Sequence, residues 1–441
     1  MRFYDRNSEL EELRRISKLS FEDHSRMTVV TGRRRIGKTS LILKATTGEI
    51  PAVYLFVGRK NEALLCTEYQ SIISEQLAIF VPSEITTFRS LFQYLLEVGE
   101  TKPFHLIIDE FQEFYNVNPA LFSDIQYLWD LYRKRSKMNL IISGSVYSLM
   151  QKIFHDRKEP LFGRADNVIK LSAFDTPTLK EIMGDYRKNY SNDDLLALFT
   201  FSGGIPKYVE LLCDNTDLSI EGMIAYMVRE NSPFIEEGKY LLIEEFGKDY
   251  GTYFSILSAI SGGINTQPQI EASLGNKNVG GHLKRLIEVY QVIERKRPIL
   301  SKVGTQTVRY DIQDNFLRFW FNYFDRHRSL IEINNFPALQ QIILQDYPTY
   351  SGLVLERYFA KQLAESHQYR AIGSWWDAKD AQNEIDIVAL KLEKRKALVA
   401  EVKRQRKNFK PELLEKKVAH LINKVLPKYD VETTCLTLED M

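Results

Sequence analysis

The segment Met27 to Leu43, MTVVTGRRRIGKTSLIL, commits the chain to one local architecture: an apolar, β-branched strand, a tight basic loop and the opening of an apolar helix. Within it Gly32, Gly37, Lys38 and Thr39 stand at the spacing G-x-x-x-x-G-K-[ST], with Arg33, Arg34, Arg35 and Ile36 in the loop and Ser40 following. Glycine carries no Cβ, so at such positions successive backbone N–H groups can wrap a chain of phosphates. Lys38 would then reach the β- and γ-phosphates and the Thr39 hydroxyl would serve Mg²⁺. The helix that starts there adds its positive end to the anion site. The pattern arises by accident in roughly one or two chains in a hundred of this length. Here it sits in the strand–loop–helix context it needs, and it predicts a P-loop for ATP and Mg²⁺.

Length and composition frame the rest. The 441 residues have room for roughly three domains at about 150 residues each. With 44% hydrophobic and 27% charged residues, the chain reads as soluble and globular. Neither a bilayer-spanning apolar run nor a signal-peptide pattern after Met1 is apparent, so the expectation is a cytoplasmic protein with no membrane partner. Cys66, Cys213 and Cys435 are widely spaced and form no C-x-x-C pair, which argues against a disulfide framework or a zinc site. The net charge of +1 hides an asymmetry: Lys391 to Lys428 holds thirteen Lys/Arg against four Glu, whereas Asp214 to Asp249 is acidic. A basic C-terminal region is compatible with a nucleic-acid partner and equally with a solvated helix face.

After the P-loop, residues 52–57 read as a buried strand, and helices are expected near 62–80 and 87–98. Residues 104–110 form another strand, apolar until Asp109 and Glu110 close it. A helix around 121–135 and a strand at 139–143, ending in Ser143, come next. Near-continuous apolar strands separated by helices require a parallel sheet covered on both faces. From Leu171 the strand signal fades into short helices at 178–186, 193–201 and 206–213, expected as a helical lid. Helices at 253–261, 268–274 and 279–290 precede two strand-like pieces, 292–294 and 308–312, with the basic turn Arg295-Lys296-Arg297-Pro298 between them. That is the order of a winged helix-turn-helix. The aromatic run FLRFWFNYF, 316–324, begins a helical connector too interrupted by Arg and Asn to enter a membrane. The tail reads as helix, strands at 385–390 and 397–402, then helix: a small α/β unit of its own.

Asp109 and Glu110 at a strand's carboxyl end are the natural companions of a P-loop. The first would order Mg²⁺ through its water shell and the second polarise the attacking water. Ser143, ending the following strand, resembles the polar sensor that AAA+-type ATPases hold near the γ-phosphate.

Two further pieces resemble a narrower family. Pro160-Leu161-Phe162-Gly163-Arg164 is similar to a Leu-Tyr-Gly-Arg segment, and Gly203-Gly204-Ile205-Pro206 to a Gly-Gly-x-Pro lid motif, of the archaeal ATPase family within the STAND-like NTPases. The arginine-rich P-loop is typical of that family, and the resemblance runs from about Phe3 to Cys213. It implies that Arg164 is a phosphate-sensing or finger arginine and that Pro206 packs near the bound base. Taken blandly, these are a surface arginine and a helix-N1 proline.

Members of that family often carry a C-terminal domain related to PD-(D/E)XK nucleases. The resemblance places matching residues at Asp386 and at Glu401-Val402-Lys403 on consecutive strands, with Glu356 on the preceding helix. Side chains alternate along a strand, so Glu401 and Lys403 share a face, where Glu401 and Asp386 would share Mg²⁺ or Mn²⁺ and Lys403 would orient water. Arg404, Arg406, Lys407 and Lys410 would meet a phosphate backbone. A strict Pro-Asp pair is missing, since Glu384 and Ile385 stand before Asp386, which leaves cleavage open.

The expected architecture is thus α/β. A P-loop core occupies 1–172, a helical lid 173–245, a winged helix-turn-helix 246–313, a helical connector 314–346 and a nuclease-like domain 347–441. The expected function is Mg²⁺-dependent ATP hydrolysis that controls the winged-helix and nuclease-like modules on DNA. The rival is a STAND-like switch whose inert tail binds a protein partner. Homo-oligomerisation is open in both.

Overall fold

The computed structural model describes residues 1–247, 250–302, 304, 307–377 and 380–441, the side chains of 380–382 excepted. Asp249, the last residue of the acidic stretch, lies outside them. Two compact units divide the chain: residues 5–172, and residues 1–4 together with 173–441.

The first unit is built on a five-stranded sheet of β1 (Arg26–Thr31), β2 (Ala52–Phe56), β3 (Phe104–Asp109), β4 (Met138–Ser143) and β5 (Asn167–Lys170). The order is β2-β3-β4-β1-β5 and every pairing is parallel. All six residues of β3 and of β4 are buried, which is why both strands read as near-continuous apolar runs, broken only by His105 and Asn139 before their polar ends. Helices Asn7–Glu22 and Lys38–Thr46 pack on each other and on β4, and Glu62–Leu77 packs on β2. Phe88, Phe92, Phe111, Phe114 and Trp129 fill the core with hardly any exposed surface. Burial of each stabilises the unit by about 1.5–3 kcal/mol. The apolar-run criterion misses β5 because it is an edge strand in which only Ile169 is buried. The strand order decides the site. Since β4 lies between β1 and β3, the loop after β1 and the acids after β3 flank Ser143, two strand spacings or roughly 10 Å apart.

The second unit joins segments that the sequence divides into four. Position 346/347 falls inside one helix, Phe336–Glu365, whose 30 residues span about 45 Å and include Pro348. Asp193, in the helix Asn192–Ser202, accepts hydrogen bonds from Arg404 Nη2 (2.6 Å) and Tyr347 OH (3.2 Å). Asn192 Nδ2 donates to the Leu438 carbonyl (2.6 Å). The aromatic run forms the helix Asn315–Phe319 and a π-helical turn, Trp320–Asp325, with Phe316, Phe319, Trp320, Phe321, Tyr323 and Phe324 all buried. Helices Tyr250–Ser261, Gln267–Ser273 and Gly280–Glu288 lead into an antiparallel hairpin of β6 (Ile293–Lys296) and β7 (Arg309–Ile312).

A four-stranded sheet closes the chain: β8 (Tyr369–Asp377), β9 (Asp380–Lys391), β10 (Lys396–Val402) and β11 (Asp430–Leu436), in the order β11-β10-β9-β8. The β8–β9 and β9–β10 pairs are antiparallel and the β10–β11 pair is parallel. Trp375, Val388, Val399, Leu414 and Leu421 form its core beneath the helix Pro411–Lys424. Only β9 and β10 stand out in the sequence. The edge strands β8 and β11 are half exposed and carry no apolar run. No helix among the described residues is long and apolar enough to cross a membrane.

Candidate functional site

The P-loop is held open by residues whose backbone is left-handed. Gly32 has φ +147°, and a Cβ there would meet the Leu171 carbonyl oxygen at 2.9 Å, so both conformation and space require glycine. Gly37 (φ +88°) caps the helix Lys38–Thr46, and Arg35 adopts φ +67° with a full side chain. Such alternation turns N–H groups into a concave anion-binding nest. Lys38 is buried, and its Nζ donates to the carbonyls of Gly32 (3.0 Å) and Arg33 (3.1 Å). Ile36 is buried, Arg33, Arg34, Arg35 and Thr39 are half-buried, and Ser40 is exposed.

Asp109 ends β3 inside a shell of neutral donors. Its Oδ2 accepts from Thr39 Oγ1 (3.0 Å) and Tyr54 OH (2.6 Å), and its Oδ1 from Ser143 Oγ and the Glu110 N–H (3.0 Å). Burial alone would raise this carboxyl, but the bonds from Ser143, Tyr54 and Thr39 outweigh it and hold Asp109 below its ordinary value. Tyr54 is pushed up, by burial and then by Asp109, and so stays a donor. Sequence reasoning missed Tyr54 because its place depends on strand register, which sets Phe56 of β2 beside Asp109. Glu110 follows with φ +54°, and its Oε2 accepts from Gln112 Nε2 (2.5 Å) and Ser145 Oγ (2.7 Å).

Arg164 is elsewhere. Its guanidinium binds Asp130 (3.1 Å) and the Phe162 carbonyl (3.0 Å), just before Asp166, whose N–H donates to the Met27 carbonyl at the start of β1. The P-loop begins at the other end of β1, five residues or roughly 16 Å along the strand. The expectation that Arg164 senses phosphate within its own chain is therefore corrected: an ion pair holds it at the amino end of the sheet. Pro206 starts the helix Pro206–Asn215 in the second unit. The glycines before it have local reasons, since Gly203 caps the preceding helix with φ +61° and a Cβ on Gly204 would meet the Phe174 carbonyl at 2.9 Å.

In the C-terminal sheet the antiparallel ladder ends with Ala400 paired to Ile387, one residue from Glu401 and Asp386 on their strands. Asp386 Oδ2 accepts from the Val402 N–H (2.7 Å), and Lys403 Nζ lies 2.9 Å from Glu401 and 3.7 Å from Asp386. Lys417, unnoticed in the sequence, contacts both Glu401 oxygens at 3.2 Å. Glu356 is pushed up to about 8 by burial of its carboxyl and then by Asp386. Asp386 is raised as well, chiefly by burial. Lys403 thus lies beside both Asp386 and Glu401, and among the described residues no three acids, histidines or cysteines gather closely enough to hold a metal ion. The cation between the carboxylates is the Lys403 ammonium.

The neighbouring basic groups are largely engaged. Arg404 binds Asp193 and Ser351, and Arg406 binds Asp440 (2.8 Å), whereas Lys407 and Lys410 are exposed. The β6–β7 hairpin is fastened to the same sheet. The Ile299 N–H donates to the Ser374 carbonyl (2.9 Å), and Arg309 binds Glu384 (2.7 Å) and lies over the Trp376 ring. Lys296 binds Asp311 (2.6 Å), which Arg357 also holds (3.1 Å).

Residues 3–212 match a family described as an ATPase domain predominantly from Archaea, and residues 320–420 a family described as archaeal and bacterial proteins of unknown function. An uncharacterized protein of Methanocaldococcus jannaschii is 32% identical over 412 residues, which cover 91% of this chain and 87% of that one. A Walker-type ATPase of Pyrococcus abyssi has a similar fold, with TM-score 0.50 and 21% identity over 72% of this chain and 96% of its own. The ORC2 protein of Aeropyrum pernix aligns over 77% of this chain and 95% of its own, with TM-score 0.45 and 13% identity.

Proposed function

The chain belongs to the family of ATPase domains found predominantly in Archaea, and on that premise we propose that it binds ATP with Mg²⁺ at residues 32–40 and hydrolyses it, with Glu110 as the base. The observation that carries this reading is the Asp109 carboxylate, kept anionic by hydroxyl and amide donors and bonded to Thr39 at the head of the P-loop helix. The residues fit the ligands. The glycine positions leave a concave row of N–H groups for phosphates, and Thr39 with Asp109 forms the hard oxygen set that Mg²⁺ prefers. When bound, Mg²⁺ draws negative charge from the β- and γ-phosphates. Lys38 turns its ammonium from the loop carbonyls to the phosphates. Glu110 takes a proton from a water whose oxygen bonds the γ-phosphorus, while the bond to the β-phosphate oxygen breaks and its electron pair leaves on ADP.

The test is ATP turnover with Mg²⁺ by the purified chain, beside nucleotide affinity. Glu110→Gln should bind ATP as the parent does and lose turnover by a hundredfold or more, within the range of about 10²–10⁴ for a general base. Equal turnover by the two would remove Glu110 from the chemistry.

For the second unit, the internal pairing of Lys403, Lys417, Arg309 and Lys296 favours a STAND-like regulatory role in which the hairpin packs within its own chain. A metal-dependent action on DNA is the second reading, favoured by Asp386 and Glu401 gathered around Lys403. Plasmid and linear DNA incubated with the chain, with and without ATP and Mn²⁺, separate the two. Cleavage lost in Asp386→Ala with ATP turnover intact supports the nuclease, and uncut DNA supports the switch.

A further inference from the structure

At the end of β3 three unfavourable features meet. Glu110 has φ +54°, a left-handed conformation that a residue with a Cβ adopts only under constraint. Gln112 is 1% exposed, and its Oε1 has no hydrogen-bond partner among the described residues, an arrangement that folding disfavours. Residue 144 is glycine, and a Cβ there would overlap Gln112 Oε1 and the Met150 sulfur, so a larger residue would displace one of those side chains.

One purpose accounts for all three. Gln112 Nε2 (2.5 Å) and Ser145 Oγ (2.7 Å) both donate to the same oxygen of Glu110, Oε2. Turning the Gln112 amide over would place its carbonyl against the carboxylate, so the unpaired Oε1 is the consequence of aiming the donor at Glu110. The notch at Gly144 gives that amide its room. The two donors come from the ends of different strands, Gln112 after β3 and Ser145 after β4, so they meet only once those strands are paired.

Resting on the ATPase reading above, we infer that Gln112 and Ser145 are positioning residues: they fix the Glu110 carboxylate by Oε2 and leave Oε1 aimed at the water. Neither touches nucleotide in this role. Both act on turnover through Glu110 and not on ATP affinity.

Steady-state hydrolysis by the full chain tests this with Ser145→Ala, Ser145→Thr and the nearly isosteric Gln112→Met. Ser145→Ala and Gln112→Met should each lower kcat about tenfold with KM for ATP within twofold of the parent. Ser145→Thr, which keeps the hydroxyl, should recover most of the loss, and melting temperatures should stay close to the parent value. A kcat for Ser145→Ala within twofold of the parent, or a loss that Ser145→Thr does not recover, overturns the inference. If Gln112→Met does not fold, the Ser145 pair decides alone. A parent that binds ATP without turning it over overturns the ATPase reading itself, and the inference with it. Normal turnover in both the parent and Ser145→Ala removes only the clamp.

Discussion

Asp109 and the Asp386–Glu401 pair are both carboxylates carried by sheet strands, yet they are satisfied in opposite ways. Around Asp109 the donors are hydroxyls and a backbone amide, which lower the carboxyl's proton affinity without cancelling its charge. A full negative charge is left for a cation to find. Around Asp386, Glu401 and Glu356 stand Lys403, Lys417 and Lys296, and the protein supplies the counter-charge itself. The same residue type therefore keeps an unneutralised charge in one place and is half of an ion pair in the other, and the charge of its donors makes the difference.

The largest test of that contrast compares two lysines. If Lys38 serves the nucleotide as proposed, Lys38→Ala should weaken ATP binding a hundredfold or more, about 2.7 kcal/mol, with little change in melting temperature. Lys403 serves the protein. Lys403→Ala should leave ATP binding intact and lower stability by about 1–3 kcal/mol, because the half-buried Asp386 would lose its ammonium partner while Glu401 kept only Lys417. Calorimetry and thermal melting read both, and a Lys403→Ala chain as stable as the parent would break the comparison.

A smaller effect follows from Glu356. Its folded-state value near 8 lies above the ordinary carboxyl value of about 4.3, so the folded chain holds this proton more tightly than the unfolded one. The associated stability is complete at low pH and is lost as pH rises toward 8. Between pH 5 and pH 9 the parent's melting temperature should fall relative to that of Glu356→Gln, which has no such proton to lose. Parallel curves would show that the carboxyl is not raised.

Arg164 should give the smallest response. Its partner Asp130 is half exposed, so Arg164→Ala should cost less than about 1 kcal/mol and leave turnover by the monomer within twofold. A tenfold loss of turnover would return Arg164 to the phosphates.

What the sequence made legible was local. Gly32, Gly37, Lys38 and Thr39 act through the backbone they stand in, and Asp109, Glu110 and Ser143 are marked by the strands they end. Tyr54 and Lys417 matter because of register and helix docking, which bring together residues 55 and 16 positions apart in the chain. The edge strands β5, β8 and β11 carry no apolar run because one side of each is wet. Arg164 stands away from the P-loop of its own chain, which a motif could not foretell because it shows which residue is present and not which end of a sheet it occupies. The role of the lysine beside Asp386 and Glu401 was hidden for a related reason. Strand periodicity set Lys403 on the face of Glu401, but nothing in it foretold that ammonium groups would lie against the carboxylates.

Mn²⁺ binding followed by electron paramagnetic resonance in the presence of a non-hydrolysable ATP analogue tests the contrast most directly, with the parent compared to Asp109→Ala and Asp386→Ala. One tightly held ion per chain, weakened in Asp109→Ala and unchanged in Asp386→Ala, is the predicted result. A tight ion that survives Asp109→Ala and disappears with Asp386→Ala would contradict the account.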